Sequence, residues 1–223
     1  MPQQNTRGPS VDRVEGPKGN TGANQGDVAA RLHRLLRYSH IFSSAVREIL
    51  ESRYLKAVSE HSLTLPQFHL LKLIGLNGQH QVGEVAEFLG VSAPAASKNI
   101  DRLESLGLVA RAPCEEDRRA TLLSASPKGR NLIRRYEDLK KQRLTPVLAR
   151  FETAEIDRLS ELLERFSVLL FEHEKAGDSF CLRCAAYCRV GCPIGEVLGH
   201  CPYDAIRAKS RGRKPVARRE DIS

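Results

Sequence analysis

QVGEVAEFLGVSAPAASKNIDRLESLGLVARAPCEEDRR, spanning Gln81 to Arg119, holds two short helical patterns, a tight turn between them and the start of a hairpin. Val82, Val85, Ala86 and Leu89 recur at helical spacing, so the first pattern has one face to bury. Gly90 supplies a residue free to take positive φ, and Ser92 stands where it can cap the next helix. The second pattern buries Ala96, Ile100, Leu103 and Leu106 and stops at Gly107. Its other face carries Ser92, Ala93, Ala95, Ser97, Lys98, Asn99 and Arg102, which are small, polar or basic. A short helix of this kind fits the DNA major groove.

Outward from this unit, Thr64-Leu65-Pro66-Gln67 is a helix start, with Thr64 as cap and Gln67 at the capping-box position. Phe68, Leu71 and Ile74 would bury that helix, and Asn77-Gly78 would end it. After Gly107, the stretches Leu108–Arg111 and Thr121–Ser124 read as paired strands around the polar tip PCEEDRRA. Three helices followed by a charged hairpin is the order of a winged helix-turn-helix. The expected fold class is therefore mainly α with a small β-hairpin wing.

Further out, Val28, Leu32, Leu35, Phe42, Val46, Ile49 and Leu50 mark one face of a long helix from Asp27 to near Glu60. Arg31, Arg34 and Arg37 lie elsewhere on it and read as a solvated face. Ser126-Pro127 opens another helix through Leu132, Ile133, Tyr136 and Leu139, with a kink or break expected at Thr145-Pro146. Thr153 is read as the cap of a last helix striped by Ile156, Leu159, Leu163, Phe166 and Leu170. Two amphipathic ends need a partner surface, and docking them on those of a second copy would bury both. Residues 1–26, rich in Gly, Pro, Asn and Gln, read as a disordered tail.

GEVAEFLGVSAPAASKNIDRLESLGLVAR followed by DRRATLLSASPKGR resembles the MarR family of multiple-antibiotic-resistance-type transcriptional regulators. The likeness is densest from about Leu63 to Arg130 and extends more loosely over residues 27–176, the winged-helix and dimerisation domain it implies. It implies a homodimer built from terminal helices, a pseudo-palindromic operator, and repression as the family habit. By position, it places Ser92, Ala95, Ser97, Lys98, Asn99 and Arg102 on the DNA side. The wing arginines Arg118 and Arg119 would enter the minor groove, and Asp117 would orient the hairpin by ion pairing. The bland alternative pairs these arginines with Glu115 and Glu116 on a solvated loop. A small-molecule effector in the cleft between dimer and winged domain is compatible with the resemblance, and no residue identifies one.

Among 223 residues, five of six cysteines fall in one segment, FCLRCAAYCRVGCPIGEVLGHCPY. Three chemistries compete for it: a [4Fe–4S] cluster, tetrahedral Zn2+, or a metal-free thiol–disulfide switch. The expected ligands are Cys181, Cys184, Cys192 and Cys201, with Cys188 as spare or exchange ligand; Cys192 and Cys201 each precede a proline. His200 beside Cys201 reads as a bystander, and Cys114 on the wing as an incidental thiol. The resemblance does not call for this segment, residues 177–206. A metal centre just beyond the last dimer helix would, on loss, loosen the dimer and release DNA; a zinc staple that senses nothing is the structural alternative.

The net charge of +8 favours an anionic partner. Residues 207–223 carry seven Lys/Arg against two acids and read as a disordered basic tail, in which SRGRKP resembles an AT-hook core. No secretory signal or membrane-length apolar run is seen, so a cytoplasmic protein with reduced thiols is expected. An enzyme is not expected, since neither a glycine-rich nucleotide loop nor a nucleophile–base constellation occurs. A second rival is a nucleoid-type protein that coats DNA without regulating it.

Overall fold

The structure is a computed structural model, and it describes residues 25–76, 80–114, 121–174 and 192–210. Two compact units are present, Met1–Val46 and Arg47–Ser223. The first holds helix α1, Gln25–Ala45, which begins two residues inside the stretch read as tail. Its expected apolar face is not buried in the single chain: Val28, Leu32, Leu35 and Phe42 are each 44–54% exposed. Arg31 belongs to the solvated side, paired with Asp27 one turn earlier at 2.9 Å.

A π-helical stretch, Val46–Arg53, leads into α2, Tyr54–Val58. The second unit continues with α3 (Leu65–Leu76), β1 (His80–Gln81), α4 (Val82–Leu89) and α5 (Ala93–Ser105). The hairpin β2 (Val109–Pro113) and β3 (Thr121–Ala125) follows, then the long helices α6 (Pro127–Leu148) and α7 (Thr153–His173). Short helices α8 (Pro193–Val197) and α9 (Pro202–Ser210) close the chain.

Helix α3 starts where expected, with the Thr64 N–H donating to Gln67 Oε1 at 3.1 Å and the Gln67 N–H returning to Thr64 Oγ1 at 3.4 Å. It is the hub of the core. Phe68, Leu70, Leu71 and Ile74 pack with Ile100 and Leu103 of α5, Leu123 of β3, and Leu132 and Tyr136 of α6. Phe68 and Tyr136 meet edge-on at 4.7 Å, and the Tyr136 hydroxyl donates to the Leu50 carbonyl at 2.7 Å. Leu73 faces away from this cluster into a second, smaller one. A helix apolar around most of its circumference must be covered on more than one side.

Several expectations change in detail. The sheet has three antiparallel strands in the order β1-β3-β2, with His80 opposite Leu123 and Val109 opposite Ala125. Two-residue β1 is too short to show a period-two pattern in sequence. Pro146 does not break α6, which runs on to Leu148; what its ring removes is the single bond back to the Gln142 carbonyl. Thr145 Oγ1 donates to the Lys141 carbonyl at 2.8 Å in the same turn. Glu152, not Thr153, is the N-cap of α7, in a reciprocal capping box with Glu155. Residues 207–210, read as tail, form the last turn of α9.

His69 on α3 is half-buried, 3.8 Å from Glu51. Burial holds its pKa below 6.5, against the opposing pull of Glu51. The unfolded chain therefore takes up the proton first as pH falls, so the stability contributed by neutral His69 is full above 6.5 and is lost progressively below it. His69→Asn is expected to flatten the stability-versus-pH curve just below 6.5, read from urea midpoints at fixed protein concentration. An unaltered curve would refute this assignment.

Candidate nucleic-acid interface

The helix-turn-helix is assembled by local hydrogen bonds legible residue by residue. Gln81 caps α4 in a capping box, its N–H donating to Glu84 Oε2 at 2.9 Å, and Glu84 is only 1% exposed. Gly90 takes the left-handed conformation, φ +58°, so its N–H and that of Val91 can close the end of α4. Ser92 Oγ then accepts the Ala95 N–H at 3.4 Å, and Pro94 sits in the first turn of α5, where its missing N–H costs nothing. Ala96, Ile100 and Leu103 bury one face of α5 completely.

The opposite face is open. Ser92, Ala95, Lys98 and Arg102 are exposed, while Ser97 and Asn99 are half-buried. The Asn99 amide donates to the Ala95 carbonyl at 3.2 Å, so reading a base would require it to leave that backbone contact. Ala95, Lys98 and Arg102 thus share one exposed surface at three- and four-residue spacing, with Ser92 at its N-cap, while Ser97 and Asn99 lie on its two flanks. Asp117, Arg118 and Arg119 lie outside the described residues.

One positioning residue escaped the sequence reading. Arg111 on β2 reaches back to α5, with its guanidinium 2.5 Å from Asp101 and 3.4 Å from Glu104. These contacts set the hairpin against the recognition helix, although each pair is partly solvated and worth no more than about 1 kcal/mol. The signal was available: Asp101 and Glu104 are one turn apart, and Arg111 lies just past the turn at Gly107. At the base of the hairpin, Ser126 Oγ donates to the Gly107 carbonyl at 2.6 Å and Lys128 Nζ to the Leu106 carbonyl at 3.1 Å.

Of the cysteines, Cys181, Cys184 and Cys188 lie outside the described residues. Cys192 caps α8, its sulfur accepting the Gly195 N–H at 3.4 Å. Cys201 precedes α9 and is half-buried against Leu73, Phe88 and Tyr203. Cys114, on the wing as expected, is buried just past the end of β2. Among the described residues no group of three or more His, Cys, Asp or Glu side chains is placed to hold a metal ion. Also among them, no helix is long and apolar enough to cross a membrane. A cavity of about 70 Å3 opens beside His61, Lys128, Asn131 and Arg135. That is well below the several hundred Å3 typical of drug-sized ligand sites.

The MarR family profile matches residues 61–120, which run from the approach to α3 through the hairpin tip. This winged-helix segment is thus similar to the MarR family. The chain is 33% identical over 105 residues to the HTH-type transcriptional regulator YfiV of Bacillus subtilis, an alignment covering 43% of this chain and 66% of that protein. RV1404 of Mycobacterium tuberculosis has the same fold, with a TM-score of 0.55 and 23% identity over 60% of this chain and 91% of its own. So does FabT of Streptococcus pneumoniae, solved in complex with DNA, with a TM-score of 0.53 and 19% identity over 62% of this chain and 98% of its own. The MarR-type segment contains α3, α4, α5 and β2, and it ends before the cysteine segment begins.

Proposed function

We propose that this chain is a DNA-binding transcriptional regulator, not an enzyme, that binds a pseudo-palindromic site as a homodimer and acts as a repressor. The observation that carries the reading is the capped helix α5, buried along Ala96, Ile100 and Leu103 while displaying Ser92, Ala95, Lys98 and Arg102 to solvent. Lys98 and Arg102 supply phosphate and guanine-edge donors, and Asn99 supplies the amide suited to adenine. Arg118 and Arg119 carry the minor-groove contact, with Asp117 orienting the wing. The dimer is formed by the apolar faces of α1 and α7, which stand exposed in a single chain. Two recognition helices would then meet successive major grooves one helical turn apart.

The cysteine segment binds a soft metal through Cys181, Cys184, Cys192 and Cys201, with Cys188 in reserve, as a [4Fe–4S] cluster or, alternatively, one Zn2+ per chain. The chemistry of the donor set supports this: thiolates are ligands for both. Broad visible absorption of anaerobically purified protein distinguishes the cluster from a colourless zinc protein.

The test of the DNA reading is a footprint on the DNA flanking the chain's own gene, followed by gel-shift titration across salt. A protected region of two half-sites is expected, whereas uniform coating would favour the nucleoid-type alternative. Arg118→Ala combined with Arg119→Ala should weaken binding strongly, and each lost phosphate contact should lower the salt slope by about one unit. Unchanged affinity and slope would remove the wing from the interface.

A further inference from the structure

Helix α9 is not a loose end. It packs on α4, the helix that supports the recognition helix, and it does so through one plug. Tyr203, 3% exposed, inserts its ring against Phe88 at a centroid distance of 4.7 Å, edge to face, with Leu73 of α3 beneath it. The Tyr203 hydroxyl and His80 Nδ1 are hydrogen-bonded, and His80 is fully buried. Leu89, Ile206 and Cys201 ring the contact.

The plug touches two supports of the reader. Phe88 belongs to α4, whose packing sets the pose of α5. His80 belongs to β1, which pairs with Leu123 of β3, and β3 is the central strand that also carries β2. The other end of the same segment is anchored elsewhere: α8 packs on α7, where Ile194 and Phe171 are both buried. Residues 193–210 therefore tie the apolar-faced helix α7 to the helix-turn-helix. The MarR-type match ends at residue 120, so the whole strap is an addition to it.

We propose that α9 is an intramolecular relay: its docked Tyr203 holds α4 and the wing in the DNA-binding pose, and undocking it weakens DNA binding. Cys201 stands two residues before Tyr203 and lies half-buried in the same cluster. Coupling of this kind changes affinity by roughly five- to one-hundred-fold. The proposal rests on the DNA-binding reading for its output, but the docking contact is measured without DNA.

The test uses the full-length chain with Tyr203→Ala, and with Tyr203→Phe as the milder change that removes only the hydroxyl. Hydrogen exchange of the segment covering His80–Gly90 should quicken in Tyr203→Ala, with helix content and oligomeric state retained. Affinity for the footprinted DNA should fall at least about fivefold, and less for Tyr203→Phe. Unchanged exchange overturns the docking itself. Faster exchange with unchanged or raised affinity overturns the relay and leaves α9 a passive cover. A parent chain that binds no DNA fails the functional reading, while the exchange data still decide whether α9 holds α4.

Discussion

Gly129→Ala is expected to destabilise the fold by about 2–3 kcal/mol. Gly129 lies in the first turn of α6, and a Cβ there would stand 2.1 Å from the Leu108 carbonyl oxygen and 3.1 Å from Leu71 Cδ1. The nearest obstacle is backbone, and it cannot rotate away. The Leu108 carbonyl also accepts the Ser126 N–H at 2.9 Å, so the close approach is part of how α6 is seated on the hairpin base. Moving α6 outward would strain that bond and the Ser126 contact to Gly107. The gain in helix propensity, about 1 kcal/mol at most, offsets only part of this. Gly83→Ala is the matched control, since nothing lies within 4 Å of the Cβ it would add to α4. Urea midpoints at one protein concentration should fall clearly for Gly129→Ala and stay level or rise for Gly83→Ala. Equal midpoints for the two variants would show that the approach of α6 to Leu108 is looser than described.

The second large effect is expected on α7. Leu159, Leu162, Leu163, Phe166, Leu169 and Leu170 lie along it at three- and four-residue spacing and are 41–53% exposed. Leu162→Glu with Phe166→Glu should leave the single chain folded, because neither side chain belongs to the core. Each apolar side chain that fails to be buried forfeits roughly 2 kcal/mol, and a homodimer carries the pair in both subunits, so association weakens by about 10^5- to 10^6-fold. Analytical ultracentrifugation should then show monomer where a dimer is expected of the parent, and operator affinity should fall because two half-sites no longer act together. A dimer that survives both substitutions would place the interface elsewhere.

The winged-helix unit was legible because its determinants are local. The spacing of Val85, Ala86, Ile100 and Leu103, the turn at Gly90 and the caps Ser92 and Ser126 each act within one helical turn, and the structure uses each as expected. Phe88 was the exception. It lies off the stripe of Val82, Val85, Ala86 and Leu89, and its burial is completed by Tyr203, more than a hundred residues later. Leu73 hinted at it: the run LPQFHLLKLIGL is too evenly apolar for a helix covered on one side.

The cysteine pattern showed in sequence which atoms are available for ligation, but not where the segment rests. That depends on contacts of large sequence separation, such as His80 with Tyr203, which no local period encodes. The same holds for Arg111 bridging back to Asp101 and Glu104, and for Gly129 against Leu108. Sequence by itself therefore determined the helices and hairpin of the winged unit, the caps Thr64, Ser92 and Ser126 and the polar face of α5, because backbone geometry links residues three or four apart. Tertiary structure alone decided how the hairpin leans on α5, how closely α6 approaches it, and that the C-terminal helix closes over α4. Those choices follow from which apolar surfaces remain uncovered once the local elements have formed.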